Sequence, residues 1–287
     1  MATITPSHAS PTAPAKATPA EVARPRYRVT GRRVLRSEWA KLWSLRSTWI
    51  TLGLGLVFLV AFGIIAAVQY KSVIGSDQHI DTEFARATAV DLSLFGKNFA
   101  QLALGVLGVL VTAGEYSTGM IRSTLTAVPR RLPVLWSKAA VFGVVVLVVS
   151  TAGAVITFLV ASGIVSGTPA ALTLWDAGVL RSLLGAGLYL SLVGVIGTAL
   201  GALLRSVAGG ISVLVGSLLL VPGLISLLPS AWHNNISPYL PSNAGKSMFA
   251  LHHAANTLTP PAGLAVFLGW AALVLAGAAY RLVRTDA

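Results

Sequence analysis

Three places in the chain carry residue types that could do chemistry. Gly245, Lys246 and Ser247 spell the end of a phosphate-binding loop, whose lysine and hydroxyl would hold a nucleotide's phosphates. His233, His252 and His253 share one loop-rich segment and could ligate a metal. Glu115, followed by Arg122, Arg130 and Arg131, puts a carboxylate and guanidinium groups between two long apolar runs. The first two fail on spacing. The loop pattern needs a glycine five residues before Gly245, and Leu240 stands there. The histidines have neither metal-ligand spacing nor a carboxylate beside them. No HExxH or GxSxG sequence occurs, and the absence of cysteine excludes thiol catalysis and Cys-ligated metals. The expectation is a chain that is not an enzyme, with no catalytic residue, no metal and no cofactor of its own. Asn235 heads a glycosylation sequon too common by chance to carry a function.

The elements that must position Glu115 and its neighbours follow from composition. Of 287 residues, 55% are hydrophobic and only 10% charged, and the mean hydropathy is +0.77. Soluble domains carry about a quarter charged residues, so this is the composition of a polytopic membrane protein. Apolar runs lie near residues 48–69, 92–114, 136–164, 180–204, 207–229 and 263–283, each near the length that crosses a bilayer. Without water to pair with, each must be helical. Residues 1–30, rich in Pro, Ala and Thr, are too poor in large apolar groups to fold and read as a cytoplasmic tail ahead of a single domain over 31–287. The net charge of +12 does not point to nucleic acid, because the basic residues flank apolar runs.

Charge also predicts orientation. With the N-terminus inside, one side of the membrane carries sixteen Lys and Arg and the other five. That bias places both termini in the cytoplasm, which suits an even number of spans. Ionisable residues are nearly absent from the span interiors: Asp91, Lys97 and Arg181 fall at outer ends, Glu115 and Lys138 at inner ends. A proton-coupled transporter would carry a carboxylate near midplane, and none is visible.

Ahead of the first span, Leu35, Trp39, Leu42 and Trp43 fall on one helical face, with Arg33, Arg36, Ser37, Lys41 and Ser44 on the other. This describes an amphipathic helix in the cytoplasmic headgroup layer, anchored in the bilayer by Arg33, Arg36, Trp39, Lys41 and Trp43. The alternative is a solvated basic linker. Along the fourth span Gly187, Ser191, Gly194, Thr198 and Gly201, with Gly197, make a packing seam of small residues, within the subunit or across a dimer. The second span has a more polar line of Gln101, Gly105, Gly108, Thr112 and Glu115.

Between the second and third spans, residues 115–138 are far more than a hairpin needs. The pattern predicts a helix over Tyr116–Val128, ended by Pro129, with Met120, Leu125 and Val128 as a short apolar stripe and Arg122 beside it. Such a stripe suits docking of a soluble partner. An ordinary basic loop would explain the arginines but not the glutamate.

The order Glu115, Gly119, Leu125, Pro129, Arg131 and Lys138 resembles the signature of type-2 ABC transporter permeases. The likeness extends to the amphipathic segment before six spans and to the long segment at residues 230–262. It departs at Met120, where that family often has Thr. The resemblance implies an all-α membrane protein of six transmembrane helices, with an N-terminal interfacial elbow helix and a cytoplasmic coupling helix between spans two and three. It implies a plasma-membrane permease domain, binding no nucleotide itself, that pairs with a second permease subunit as homo- or heterodimer. A cytoplasmic ABC ATPase subunit would carry the ATP and Mg and dock on Tyr116–Val128. Glu115, paired with Arg33, Arg36 or Arg131, would organise the joint, and Arg130 and Arg131 would hold the loop at the headgroups. Export through the subunit interface follows by the same likeness. The alternatives are a non-transport assembly or regulatory subunit and a secondary transporter.

Overall fold

A computed structural model describes residues 30–284 apart from 45, 76–81, 128–130, 228, 230–233 and 253–256, and leaves out the side chains of 82, 83, 122 and 125–127. The expected tail up to residue 29, Val128, Pro129, Arg130, His233 and His253, and the side chains of Arg122 and Leu125, lie outside these residues. Among the described residues every regular element is helical. Six helices are long and apolar enough to cross a membrane, as an integral membrane protein requires.

Helix α1 (Gly31–Ser44) precedes the first span, α2 (Arg46–Ile74). Short α3 (Thr82–Ala85) and α4 (Ala89–Ser93) lead to α5 (Lys97–Ser117). The apolar run expected to start the second span at residue 92 is therefore divided. Thr88 and Asp91 form a reciprocal capping box on α4, and the chain turns at 94–96 before α5 begins. Gly96 makes that turn against the backbone of Phe58 and Leu59, where a Cβ would collide.

Helix α6 (Met120–Ala127) follows, then α7 (Leu132–Ile164), whose 33 residues outrun a bilayer core. The fourth span is α8 (Val179–Leu204), closed by Arg205 at φ 54. Ser206 caps the next span, which comprises α9 (Val207–Val215), a π turn (Gly216–Leu220) and α10 (Val221–Ile225). Pro222 explains the π turn: it lacks an N–H and its ring would strike the carbonyl four residues back. A 3-10 turn (Ser237–Tyr239), helix α11 (Pro241–Phe249) and the last span α12 (Pro260–Arg284) follow.

Helix α8 is the most buried span and holds a neighbour on each side. The two seams of small residues meet each other here, within one chain. Gly108 of α5 lies against Gly194 O and Thr198 N of α8, Gly197 against Gly105 O, and Gly201 against Val109 O and Ala113 N. A side chain at any of these would strike backbone. On the opposite side Ser191 Oγ donates to Gly143 O of α7 at 2.7 Å, and Ser150 Oγ donates to Gly187 O at 3.2 Å. Gly194 and Gly187 pack on Phe142 and Thr151 of α7. Between α5 and α8, Tyr189 Oη donates to Gln101 Oε1. From Gln101 to Thr112 the polar line of α5 is thus buried against α8, an arrangement that close backbone approach makes possible.

Candidate functional site

At the end of the bundle where α1 meets α5 and α7, four charged side chains close a ring. Lys41 Nζ lies 2.7 Å from Glu38 Oε1 and 3.2 Å from Glu115 Oε1. Lys138 Nζ lies 2.7 Å from Glu38 Oε2 and 2.8 Å from Glu115 Oε1. Glu38, Glu115 and Lys138 are buried at 2%, 5% and 4% exposure, so the charges are neutralised almost entirely by one another. Glu115 Oε2 is buried and has no hydrogen-bond partner among the described residues.

Each member reaches the ring for a local reason. Glu38 shares the inward face of α1 with Val34 and Leu42, spaced one helical turn apart. Glu115 ends the buried line of α5, one turn after Thr112. Lys138 sits in the second turn of α7 among buried neighbours Leu135, Ser137 and Ala139. Lys41 comes from the rim and also points at Thr124 Oγ1 of α6, 3.4 Å away. Burial disfavours its charge, yet the carboxylates of Glu38 and Glu115 outweigh that and hold the Lys41 ammonium above its ordinary 10.5.

This geometry corrects several expectations. Glu115 pairs with two lysines, not with Arg33, Arg36 or Arg131. Arg131 instead donates from Nη1 to Leu282 O at 3.3 Å, near the end of α12. Lys41 faces the ring, not the headgroup side of α1. Leu42 turns into the bundle with Glu38, while Leu35, Trp39 and Trp43 stay outside. The reason is that α1 packs on α7, which divides its apolar residues between two surfaces. Trp39 stacks on Trp43 with ring centroids 5.5 Å apart, and Trp49 of α2 meets Trp43 edge-on at 4.4 Å. Arg33 and Arg36 line the shallow basic surface beside Trp39. Glu38 is a ring member outside the expected set. Its signal was present: it follows Val34 and precedes Leu42 by four residues each, a carboxylate on an apolar line.

The segment after Glu115 is also shorter than expected as a helix. Helix α5 runs on through Tyr116 to Ser117 and stops at Gly119, whose φ of +74° suits a residue without a Cβ. The N–H groups of Thr118 and Gly119 bond back to Gly114 O and Tyr116 O. A new helix then begins at Met120, so over the described residues 116–127 the expected single helix is broken at 118–119. Met120 is exposed and Ile121 is buried, which makes Ile121 the anchor of α6 and Met120 an outward residue. Tyr116 lies under the Arg205 guanidinium, 5.2 Å from its ring centroid, tying α5 to the turn after α8.

Gly245, Lys246 and Ser247 fall within α11, where Gly245 makes room for the Tyr189 ring and Ser247 Oγ donates to Ala244 O. No family model matches the chain, and no curated protein matches it significantly.

Proposed function

We propose that this chain is the membrane subunit of an ATP-driven transporter, an exporter in which a separate cytoplasmic ATPase docks on α6. One observation carries the reading: the buried ring of Glu38, Lys41, Glu115 and Lys138 joins three helices directly behind α6. Force applied to α6 has a short route into the spans. Gly119 is the bend, Ile121 and the Lys41–Thr124 contact are the attachments, and the ring makes α1, α5 and α7 respond together. A buried ion-pair network suits such a joint because its geometry is specific and single-partner loss is costly.

In this scheme α1 is the interfacial elbow helix, with Leu35, Trp39 and Trp43 in the headgroup layer. Helix α6 is the coupling helix, offering Met120 to the ATPase. Both termini are cytoplasmic, the membrane is the plasma membrane, and a second permease subunit completes the substrate path. The ATPase supplies ATP and Mg.

The test is to purify the tagged chain from its own membrane with a photocrosslinker at position 125. A soluble ATPase crosslinked there, and substrate flux that requires ATP, supports the transporter. A folded chain that captures no ATPase transfers the assignment to a non-transport membrane subunit.

A further inference from the structure

At the opposite end of the bundle a cavity of about 260 Å³ is lined by Lys97, Gln101, Tyr189, Ser242, Lys246 and Phe249. Two of these are cations, and among the described residues neither has a carboxylate at ion-pair distance. Asp91, the nearest acid along the chain, attracts Lys97 only from beyond ion-pair distance, and its Oδ2 accepts from Thr88 N and Oγ1 within its own helix. Lys97 Nζ lies 5.3 Å from the Phe249 ring centroid. Gln101 and Tyr189 are buried and bonded to each other. Ser242 is 6% exposed, and its Oγ is buried with no hydrogen-bond partner among the described residues. Ser242 also belongs to the first turn of α11, a nine-residue helix whose N-terminus has no side-chain cap. Unpaired ammonium groups, a buried unpartnered hydroxyl and an uncapped helix start together describe a site for an anion.

A second cavity, of about 210 Å³, adjoins it through Leu218. It is a groove between α8, the π turn and α12, lined by residues such as Ile196, Leu214, Val221, Trp270 and Val274. Its walls are almost wholly apolar, and Pro241 beside Ser242 forms part of them. A charged pocket that continues into an apolar groove fits one molecule with both characters.

We propose that the chain binds an anionic amphiphile here, its phosphate or carboxylate head between Lys97, Lys246 and Ser242 and its acyl chain along Trp270. The sequence Gly245-Lys246-Ser247 thus serves an anion through Lys246, although it is no nucleotide loop. The site rests on these residues alone and stands whether or not an ATPase docks on α6.

The experiment uses the full chain reconstituted in phosphatidylcholine vesicles. Trp270 emission is isolated by difference from Trp270→Phe and titrated with brominated-acyl phosphatidylglycerol or brominated phosphatidylcholine. Phosphatidylglycerol should quench at a mole fraction lower by on the order of tenfold, as two lysines at a lipid headgroup allow. Lys97→Gln/Lys246→Gln should erase that preference while leaving quenching by phosphatidylcholine. Lys246→Gln alone, at an exposed position, should lower it several-fold without cost to folding. An undiminished preference in the double variant overturns the proposal. So does the absence of quenching by either lipid, which would mean that a second copy of the chain covers the groove. Displacement of the brominated phosphatidylglycerol by millimolar inorganic phosphate would reduce the site to one for free anions and overturn the amphiphile.

Discussion

Lys138 Nζ lies 2.7 Å from Glu38 Oε2, so the third span is ionically tied to a helix that precedes the first. Both side chains are nearly inaccessible to water. The pair belongs to a ring in which each lysine meets two carboxylates, and this makes the consequences of substitution non-additive.

Glu115→Gln or Lys138→Gln should each destabilise the folded chain by about 3–5 kcal/mol, because each leaves an uncompensated buried charge. The double variant Glu115→Gln/Lys138→Gln restores neutrality and should cost less than the sum of the two. Unfolding of all three in one detergent measures the coupling, expected at about 0.5–3 kcal/mol. Strict additivity would mean that the ring is not a unit.

The Lys41 contribution has a defined pH window. Its folded-state pKa is raised above 10.5, so its stabilisation is complete below that value and is lost as pH rises through the folded pKa. The stability difference between wild type and Lys41→Gln should be constant from neutral pH to about 10. It should shrink only above that. A difference that already declines between pH 6 and 8 would show that another group controls the ring.

Gly197→Val should prevent the close approach of α5 and α8, since a side chain there meets the Gly105 carbonyl. The cost expected for overpacking is about 1–3 kcal/mol, and more where backbone is struck. Gly269→Ala is the control, as nothing lies within 4 Å of a Cβ at that position. Thermal unfolding of the two variants in detergent should separate them clearly; equal midpoints would contradict the seam.

Met120→Asp should abolish capture of the ATPase while the chain keeps its unfolding temperature, because Met120 is exposed. Ile121→Asp should instead unfold or mis-set α6, as Ile121 is buried at 6% exposure. Retained capture by a folded Met120→Asp chain would move the docking surface elsewhere.

Arg281 donates from Nη1 to Leu203 O, and Arg131 donates to Leu282 O. These bonds fasten the end of α12 to α8 and to the start of α7. Arg281→Ala should speed amide exchange over residues 278–284 and leave α5 unchanged. Unchanged exchange at 278–284 would show that packing alone holds this end.

Much of the fold is legible in the chain itself. Run length and the absence of charge determine six helices, because a bilayer-length apolar segment must satisfy its own backbone. The small-residue lines on α5 and α8 are helical periodicities, visible one helix at a time. Glu115 is conspicuous for the same reason: it is a charge at the edge of an apolar run. These are local properties, and local sequence suffices for them.

Partnership is not local. Nothing in the spacing of Glu115 selects Lys41 and Lys138 over Arg131, which is nearer in sequence than Lys41; the packing of α1 on α7 selects them. That same packing divides the apolar residues of α1, sending Leu42 and Glu38 inward and Trp39 and Trp43 outward. The meeting of the α5 and α8 seams, and of Lys97 with Lys246 around one cavity, likewise depends on which helices become neighbours. The residues of each helix dictate which face it must hide. The packing of the helices sets the partner of that face, because burial and ion pairing depend on distances between segments that the chain order leaves open.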